Sequence, residues 1–162
     1  MLSHDAQRPE GPLVLTIDIG SSSVRALLFD RNGAPLLHTI AREPHAFRTA
    51  ADGTVEDDAA ALLDKVEGCI DATLRQAGAA AAEIGAVAVD TYVSNMLGID
   101  AGARPLTPIY PYADTRNAPQ ALALRQQLDE AAVLERTGCL LRTAYLPARL
   151  LWLRESDPGL SA

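Results

Sequence analysis

Lysine is almost missing from this chain. Of 14 cationic side chains in 162 residues only Lys65 is not arginine, and 21 carboxylates outnumber them for a net charge of -7. Nucleic acid and anionic lipid need a clustered positive footprint, which this balance does not supply, so small molecules or proteins are the expected partners. Cysteine is also scarce: Cys69 and Cys139 lie far apart, with neither zinc-ligand spacing nor a disulfide framework, and a reducing, cytoplasmic setting is expected. No run approaches the ~20 apolar residues of a membrane span. Residues 1–11 are polar, of mixed charge and without the apolar centre of a leader, and read as a flexible tail before a domain over residues 12–162. His4, His38 and His45 have no metal-ligand spacing and no Ser or Cys partner in a recognisable arrangement.

What is present is the material of a globular domain: 48% hydrophobic and 22% charged residues, in a chain long enough to bury a core. Leu13–Ile19 (LVLTIDI) reads as a strand buried on both faces. Residues 24–29 and 35–40 read as two more strands, the second after the turn signal Asp30-Arg31-Asn32-Gly33. Connections this short reverse the chain and give an antiparallel meander. Residues 42–53 read as loop. Thr54 with Asp57 resembles a capping box, and Leu62, Leu63, Val66, Cys69, Ile70, Thr73, Leu74 and Ala77 recur at helical spacing until Gly78. This helix should lay one stripe on the sheet, and residues 84–89 should return as a strand parallel to an earlier one. Residues 96–100 and 105–110 suggest a hairpin, residues 112–116 an exposed polar segment. A helix over residues 118–137 stops at Gly138, and one over residues 147–155 should bury Leu150, Leu151 and Trp152. Tyr145 and Trp152 read as core packing. The fold class is therefore α/β, a mixed sheet of a three-strand meander plus a parallel strand, with packed helices.

Two constellations can carry chemistry. In Asp18-Ile19-Gly20-Ser21-Ser22-Ser23-Val24-Arg25 the glycine lets the backbone bend so that amides and hydroxyls converge on one concavity, as a phosphate requires. Asp18 can hold a hydrated magnesium ion beside it. The same residues also suit a serine-rich hairpin whose Asp18 accepts from its own amides, with Arg25 pairing to Asp30 or Glu43. No glycine-rich loop leads to a Lys-Ser or Lys-Thr pair, which excludes a P-loop. Tyr112, Asp114 and Arg116 combine an aromatic platform, an acceptor and a donor fork, a set suited to a polyhydroxylated ligand. Asp114 and Arg116 equally suit a cap on the helix that starts near Ala118.

The segment DIGSSSVRALLFD resembles the first phosphate motif of the FGGY carbohydrate kinases, which have the actin-like, ribonuclease H-like ATPase fold. GTVEDD, IGAVAVDT, GIDAGARPLTPIYPYADTR, RTG and YLPARLLWL follow in the family's order, so the resemblance spans residues 13–158. It implies ATP and Mg2+ as cofactors. Asp18 becomes the acid that positions the metal through water, Gly20, Ser21, Ser22 and Ser23 the turn facing the transferred phosphoryl group, and Arg25 its neighbour. Ser94, Asn95, Tyr112, Asp114 and Arg116 fall where the family places its sugar contacts. Tyr112 stands where the family usually has tryptophan, and the Met-His pair of xylulose kinases is missing after the fourth strand, so a gluconate-like acid is expected as readily as xylulose. The family's general base, second phosphate motif and adenosine pocket belong to a C-terminal domain that these residues do not contain. The isolated chain is then expected to bind sugar weakly and transfer hardly any phosphate.

Two other functions remain open on the sequence. One is a non-catalytic remnant of the family that binds a sugar acid or a protein. The other is a ribonuclease H-like nuclease, with Asp18, Glu56 and Asp90 holding two metal ions. The acidic balance and the lack of a basic stripe oppose the nuclease, and Glu56 is accounted for as an acid in a helix's first turn.

Overall fold

The computed structural model describes residues 10–161; the expected tail up to residue 9, and His4 with it, lies outside them. In chain order the elements are β1 (Leu13–Ile19), β2 (Ser23–Phe29), β3 (Ala41–Pro44), β4 (Arg48–Thr49), β5 (Val55–Glu56), α1 (Ala59–Ala77), β6 (Ile84–Thr91), α2 (Ala118–Gln127), α3 (Glu130–Thr137) and α4 (Leu146–Ser156). They form two compact units, residues up to 46 with 60–92, and residues 47–59 with those from 93 onward.

The first unit is built on a sheet of order β3-β2-β1-β6. β1 runs antiparallel to β2 and parallel to β6, and β2 runs antiparallel to β3, so the mixed sheet is as expected. Because side chains alternate across a strand, Leu13, Leu15 and Ile17 of β1 share a face with Val24, Ala26 and Leu28 of β2. That face packs with Cys69, Leu62, Val66 and Ile70 of α1. Leu13, Val24 and Leu28 are fully buried, each contributing about 1.5–3 kcal/mol over an exposed counterpart. The other face of β1 is only partly covered, which corrects the expectation of a strand buried on both sides.

Local hydrogen bonding explains where this unit departs from its sequence pattern. The turn at residues 30–33 forms, with Asp30 Oδ1 accepting from the amides of Asn32 and Ala34 and Gly33 at φ +79. Beyond a single bridge at Pro35, however, residues 35–40 are not a strand. Thr39 Oγ1 accepts the Leu28 amide and donates to the Leu36 carbonyl, replacing ladder bonds and closing a 3₁₀ turn over Leu37–Thr39. Pairing resumes at Ala41, so all of the third strand but its first residue lies inside the stretch that read as loop. The helix also begins later than expected. Val55 and Glu56 pair with Thr49 and Arg48, and Asp57 exchanges both backbone bonds with Ile109, which leaves Thr54 in a turn rather than at a cap. Gly78, at φ +56, ends α1 as expected. Leu63 departs from the apolar stripe and is 55% exposed. In β6, Val87 and Val89 align with Leu15 and Ile17 yet remain 58% and 63% exposed.

In the second unit the expected hairpin appears as bridges from Met96 to Tyr110 and from Ile99 to Pro105. The single helix expected over residues 118–137 is two. Leu128 turns extended, and the Asp129 carboxylate accepts from the amides of Ala131 and Ala132, capping α3. Gly138, at φ +72, closes α3. α4 begins with Pro147 in its first turn, but its buried residues are Ala148 and Arg149, while Leu150 is 54% exposed. Tyr145, expected in the core, is 38% exposed.

Candidate functional site

In the first unit, the carboxyl end of β1 gathers the phosphate motif. Gly20 N donates to Ser23 O at 3.0 Å, closing the turn from β1 to β2, and a Cβ on Gly20 would meet that same oxygen at 3.0 Å. Ser21 is half-buried, Ser22 exposed and Ser23 buried at the start of β2. Asp18 is in register with Arg25 of β2 on one side and Asp90 of β6 on the other, so all three side chains leave the same face of the sheet. Arg25 pairs with Asp18, not with Asp30 or Glu43. Arg42 of β3 lies opposite Arg25 and completes a row of two carboxylates followed by two guanidinium groups across the sheet. Two adjacent acids at the ends of parallel strands, beside serine hydroxyls and an arginine, form a donor set that suits a hydrated magnesium ion and a phosphate chain.

The second unit gathers the other predicted residues. Met96 and Tyr110 exchange backbone bonds at 3.0 and 2.8 Å, which joins the stretch holding Ser94 and Asn95 to the one holding Tyr112, Asp114 and Arg116. Ser94 has φ 59, a left-handed conformation unusual for a residue with a side chain. Tyr112 is 46% exposed, but Asp114 is 5% exposed, which corrects the expectation of a uniformly exposed polar segment. Asp114 and Arg116 do not cap α2, whose N-cap residue is Asn117 without a side-chain cap. They bond each other instead: Arg116 Nε reaches both Asp114 oxygens at 3.2 and 3.1 Å, and Nη2 reaches Oδ2 at 2.5 Å. The Arg116 Cζ stands 4.8 Å from the Trp152 ring centre and 5.4 Å from that of Tyr110, and these two rings meet edge to face.

Charge follows this packing. The Asp114 carboxylate bonded to Arg116 raises that guanidinium above its ordinary value. Burial pushes the Tyr110 phenol up. Arg149, 2% exposed, is lowered by burial, with Asp114 acting in the opposite sense. The Arg149 guanidinium donates to the carbonyls of Tyr110 at 2.6 Å, Pro111 at 2.5 Å and Thr143 at 3.0 Å, tying α4 to the backbone just before Tyr112. The reading of residues 147–155 as an apolar helix missed this role. Its signal was an arginine three positions before Trp152 in an otherwise apolar run.

Glu56 was also misread. It lies in β5, 7% exposed, and its carboxylate takes Arg48 and Arg116, so it is no first-turn acid. Among the described residues no three His, Cys, Asp or Glu side chains gather as a metal site of their own requires.

Residues 13–162 match the N-terminal domain of the FGGY family of carbohydrate kinases. The chain is 32% identical over 151 residues to a xylulose kinase of Streptomyces coelicolor, covering 92% of this chain and 30% of that protein. It is 31% identical over 151 residues to a glycerol kinase of Alcanivorax borkumensis, covering 91% and 30%. Among solved structures it resembles xylulose kinase from Rhodospirillum rubrum, with a TM-score of 0.85 and 24% identity over 91% of this chain and 30% of that one. That likeness carries the fold, the actin-like ATPase architecture expected from the phosphate motif. The chain thus spans about 30% of the length of the relatives it matches. No helix among the described residues is long and apolar enough to cross a membrane.

Proposed function

Because this chain belongs to the FGGY family of carbohydrate kinases, we propose that it supplies the phosphate hairpin and the sugar-binding half of an enzyme that phosphorylates a sugar or sugar acid, xylulose- or gluconate-like, with ATP. The observation that carries this reading is the pairing of Asp18 and Asp90 at the carboxyl ends of parallel β1 and β6, next to the Gly20 turn and Arg25. When bound, Mg-ATP supplies the phosphoryl group and the cation that neutralises its charge. The chain's own residues would do the positioning on which phosphoryl transfer depends. Asp18, with Asp90 beside it, would orient the waters of the metal. Gly20, Ser21, Ser22 and Ser23 would face the transferred group, and Arg25 would release Asp18 to meet phosphate oxygens. Tyr112 would offer its ring to the C–H face of the sugar, while Ser94, Asn95 and the Asp114–Arg116 pair would read its hydroxyl groups.

Nuclear magnetic resonance of the 15N-labelled chain tests this. Mg-ATP should move the amides of residues 18–25, and D-xylulose, gluconate or glycerol those of residues 94–96 and 110–116. Asp18→Asn should weaken the Mg-ATP response about tenfold. Saturating ligand that moves neither segment would sink the reading. Phosphate transfer by the isolated chain should be negligible, and rapid turnover of any of these polyols would show that this half suffices. The non-catalytic remnant keeps one supporting observation, the exposed Val87 and Val89 of β6, which an adapted partner surface would need. Light scattering distinguishes it: a monodisperse monomer at high concentration favours the remnant, concentration-dependent association the kinase half.

A further inference from the structure

Glu56 is a strand residue and no first-turn acid of a helix, and a buried carboxylate is costly unless charge and hydrogen bonds compensate it. Two guanidinium groups do so here, and they are unequal. Arg48, opposite Glu56 in the β4–β5 register, is 75% exposed, so water screens its share of the pair. Arg116 is 21% exposed and brings Nη2 to 2.9 Å from Glu56 Oε1. The same guanidinium holds Asp114 through Nε and Nη2 and lies against the rings of Trp152 and Tyr110. A planar cation gripped by two carboxylates and two rings has one orientation. These contacts to Asp114 and Glu56 engage Nε and Nη2. Backbone bonds support the grip: Asp57 and Ile109 exchange two at 3.0 Å, and Thr115 N donates to Gly53 O at 3.1 Å. The short β4–β5 hairpin and residues 109–116 are therefore one frame, with Glu56 as its charged tie.

We propose that Glu56 is a positioning residue for Arg116, fixing the guanidinium between Tyr110 and Trp152 so that Nη1 is presented to a hydroxyl or carboxylate of the polyol. The proposal rests on the reading of residues 94–116 as the sugar-binding surface. Asp114 anchors the Nε and Nη2 side of the guanidinium, and Glu56 adds a second carboxylate at Nη2 from another stretch of chain. Because the frame exists before any ligand arrives, Arg116 would not have to be ordered at the moment of binding.

The test uses the full chain with 15N-labelled arginine, in which the Nε–Hε signal of Arg116 is assigned by its loss in Arg116→Lys. In the native chain that signal should be displaced by the ring currents of Trp152 and Tyr110 and exchange slowly with water. Glu56→Gln should move it toward the position of a free arginine and speed its exchange at least about tenfold. Glu56→Asp should fall between, and the Nε–Hε signal of Arg149, bonded to Thr143 O, should stay in place as proof of an intact fold. An unchanged Arg116 signal in a folded Glu56→Gln chain overturns the proposal. If that variant does not fold, an unchanged signal in Glu56→Asp overturns it as well. Titration with D-xylulose, gluconate and glycerol gives the functional arm: Glu56→Gln should weaken whichever polyol binds by about tenfold, and equal affinity overturns the proposal. Should no polyol bind the native chain, the sugar reading falls, while the Arg116 signal still decides whether Glu56 positions the guanidinium.

Discussion

Gly33 and Gly53 show how the cost of one residue depends on what faces it. Both have left-handed backbones, φ +79 and +91. A Cβ on Gly33 would meet nothing within 4 Å, whereas one on Gly53 would meet Thr115 Oγ1 at 2.6 Å. Alanine at Gly33 should therefore cost only the conformational penalty, about 1 kcal/mol. Alanine at Gly53 adds a clash with the segment that holds Arg116, and about 2–3 kcal/mol is expected. Urea unfolding of the two variants measures the difference. Equal losses would mean that the turn over residues 52–54 yields freely and does not clamp Thr115. Arg149 illustrates the same dependence, since a cation among Leu150, Leu151 and Trp152 reads as an exposed head on an apolar stem until the carbonyls of Tyr110, Pro111 and Thr143 are seen around it.

Between residues the decisive question is which local bond outcompetes a regular element. Residues 118–137 have helical spacing throughout, yet Asp129 takes the amides of Ala131 and Ala132 and restarts the helix. A carboxylate placed to satisfy two otherwise unpaired amides is worth about 1 kcal/mol. Asp129→Ala should lose that amount in urea unfolding and speed amide exchange at the start of α3, with α2 unaffected. A rise in helical circular dichroism would instead mean that α2 and α3 fuse, and that the cap alone kept them apart. The same competition explains what the sequence made legible. β1, β2, β6 and the stop of α1 at Gly78 follow from apolar spacing and a glycine in a left-handed turn, and these stand where expected. The third strand was displaced because one hydroxyl, Thr39, takes over a ladder bond, and the start of α1 because residues 55–57 find partners distant in sequence at residues 48–49 and 109. Periodicity carries no information about such partners. For the site, the motifs placed Asp18 with Arg25 and Asp114 with Arg116 on common surfaces. They could not show that Asp114 is buried under its arginine, since burial is decided by Glu56, Tyr110 and Trp152 from three other stretches of chain.

At the scale of the molecule, neither compact unit is a continuous piece of chain, for the polypeptide passes between them after residues 46, 59 and 92. The second unit borrows thirteen residues, 47–59, from a stretch that precedes α1. That loan supplies what residues from 93 onward cannot make alone: the Glu56 carboxylate on Arg116, the Asp57 backbone pair with Ile109 and the Gly53 carbonyl for Thr115. Removing one partner of a buried ion pair typically costs about 3–5 kcal/mol, and marginal domains have only about 5–15 kcal/mol in total. Residues 93–162 expressed alone should therefore be largely unfolded, with narrow amide dispersion and little cooperative thermal transition, although they contain α2, α3, α4 and the whole 109–116 segment. Addition of a synthetic peptide of residues 47–59 at millimolar concentration should restore dispersion first at Tyr110, Thr115 and Arg116, the points where the missing strand bonds. A well-dispersed spectrum from residues 93–162 without the peptide would mean that helix packing around Ala121, Ala148 and Trp152 suffices, and that Glu56 serves the site without sustaining the unit.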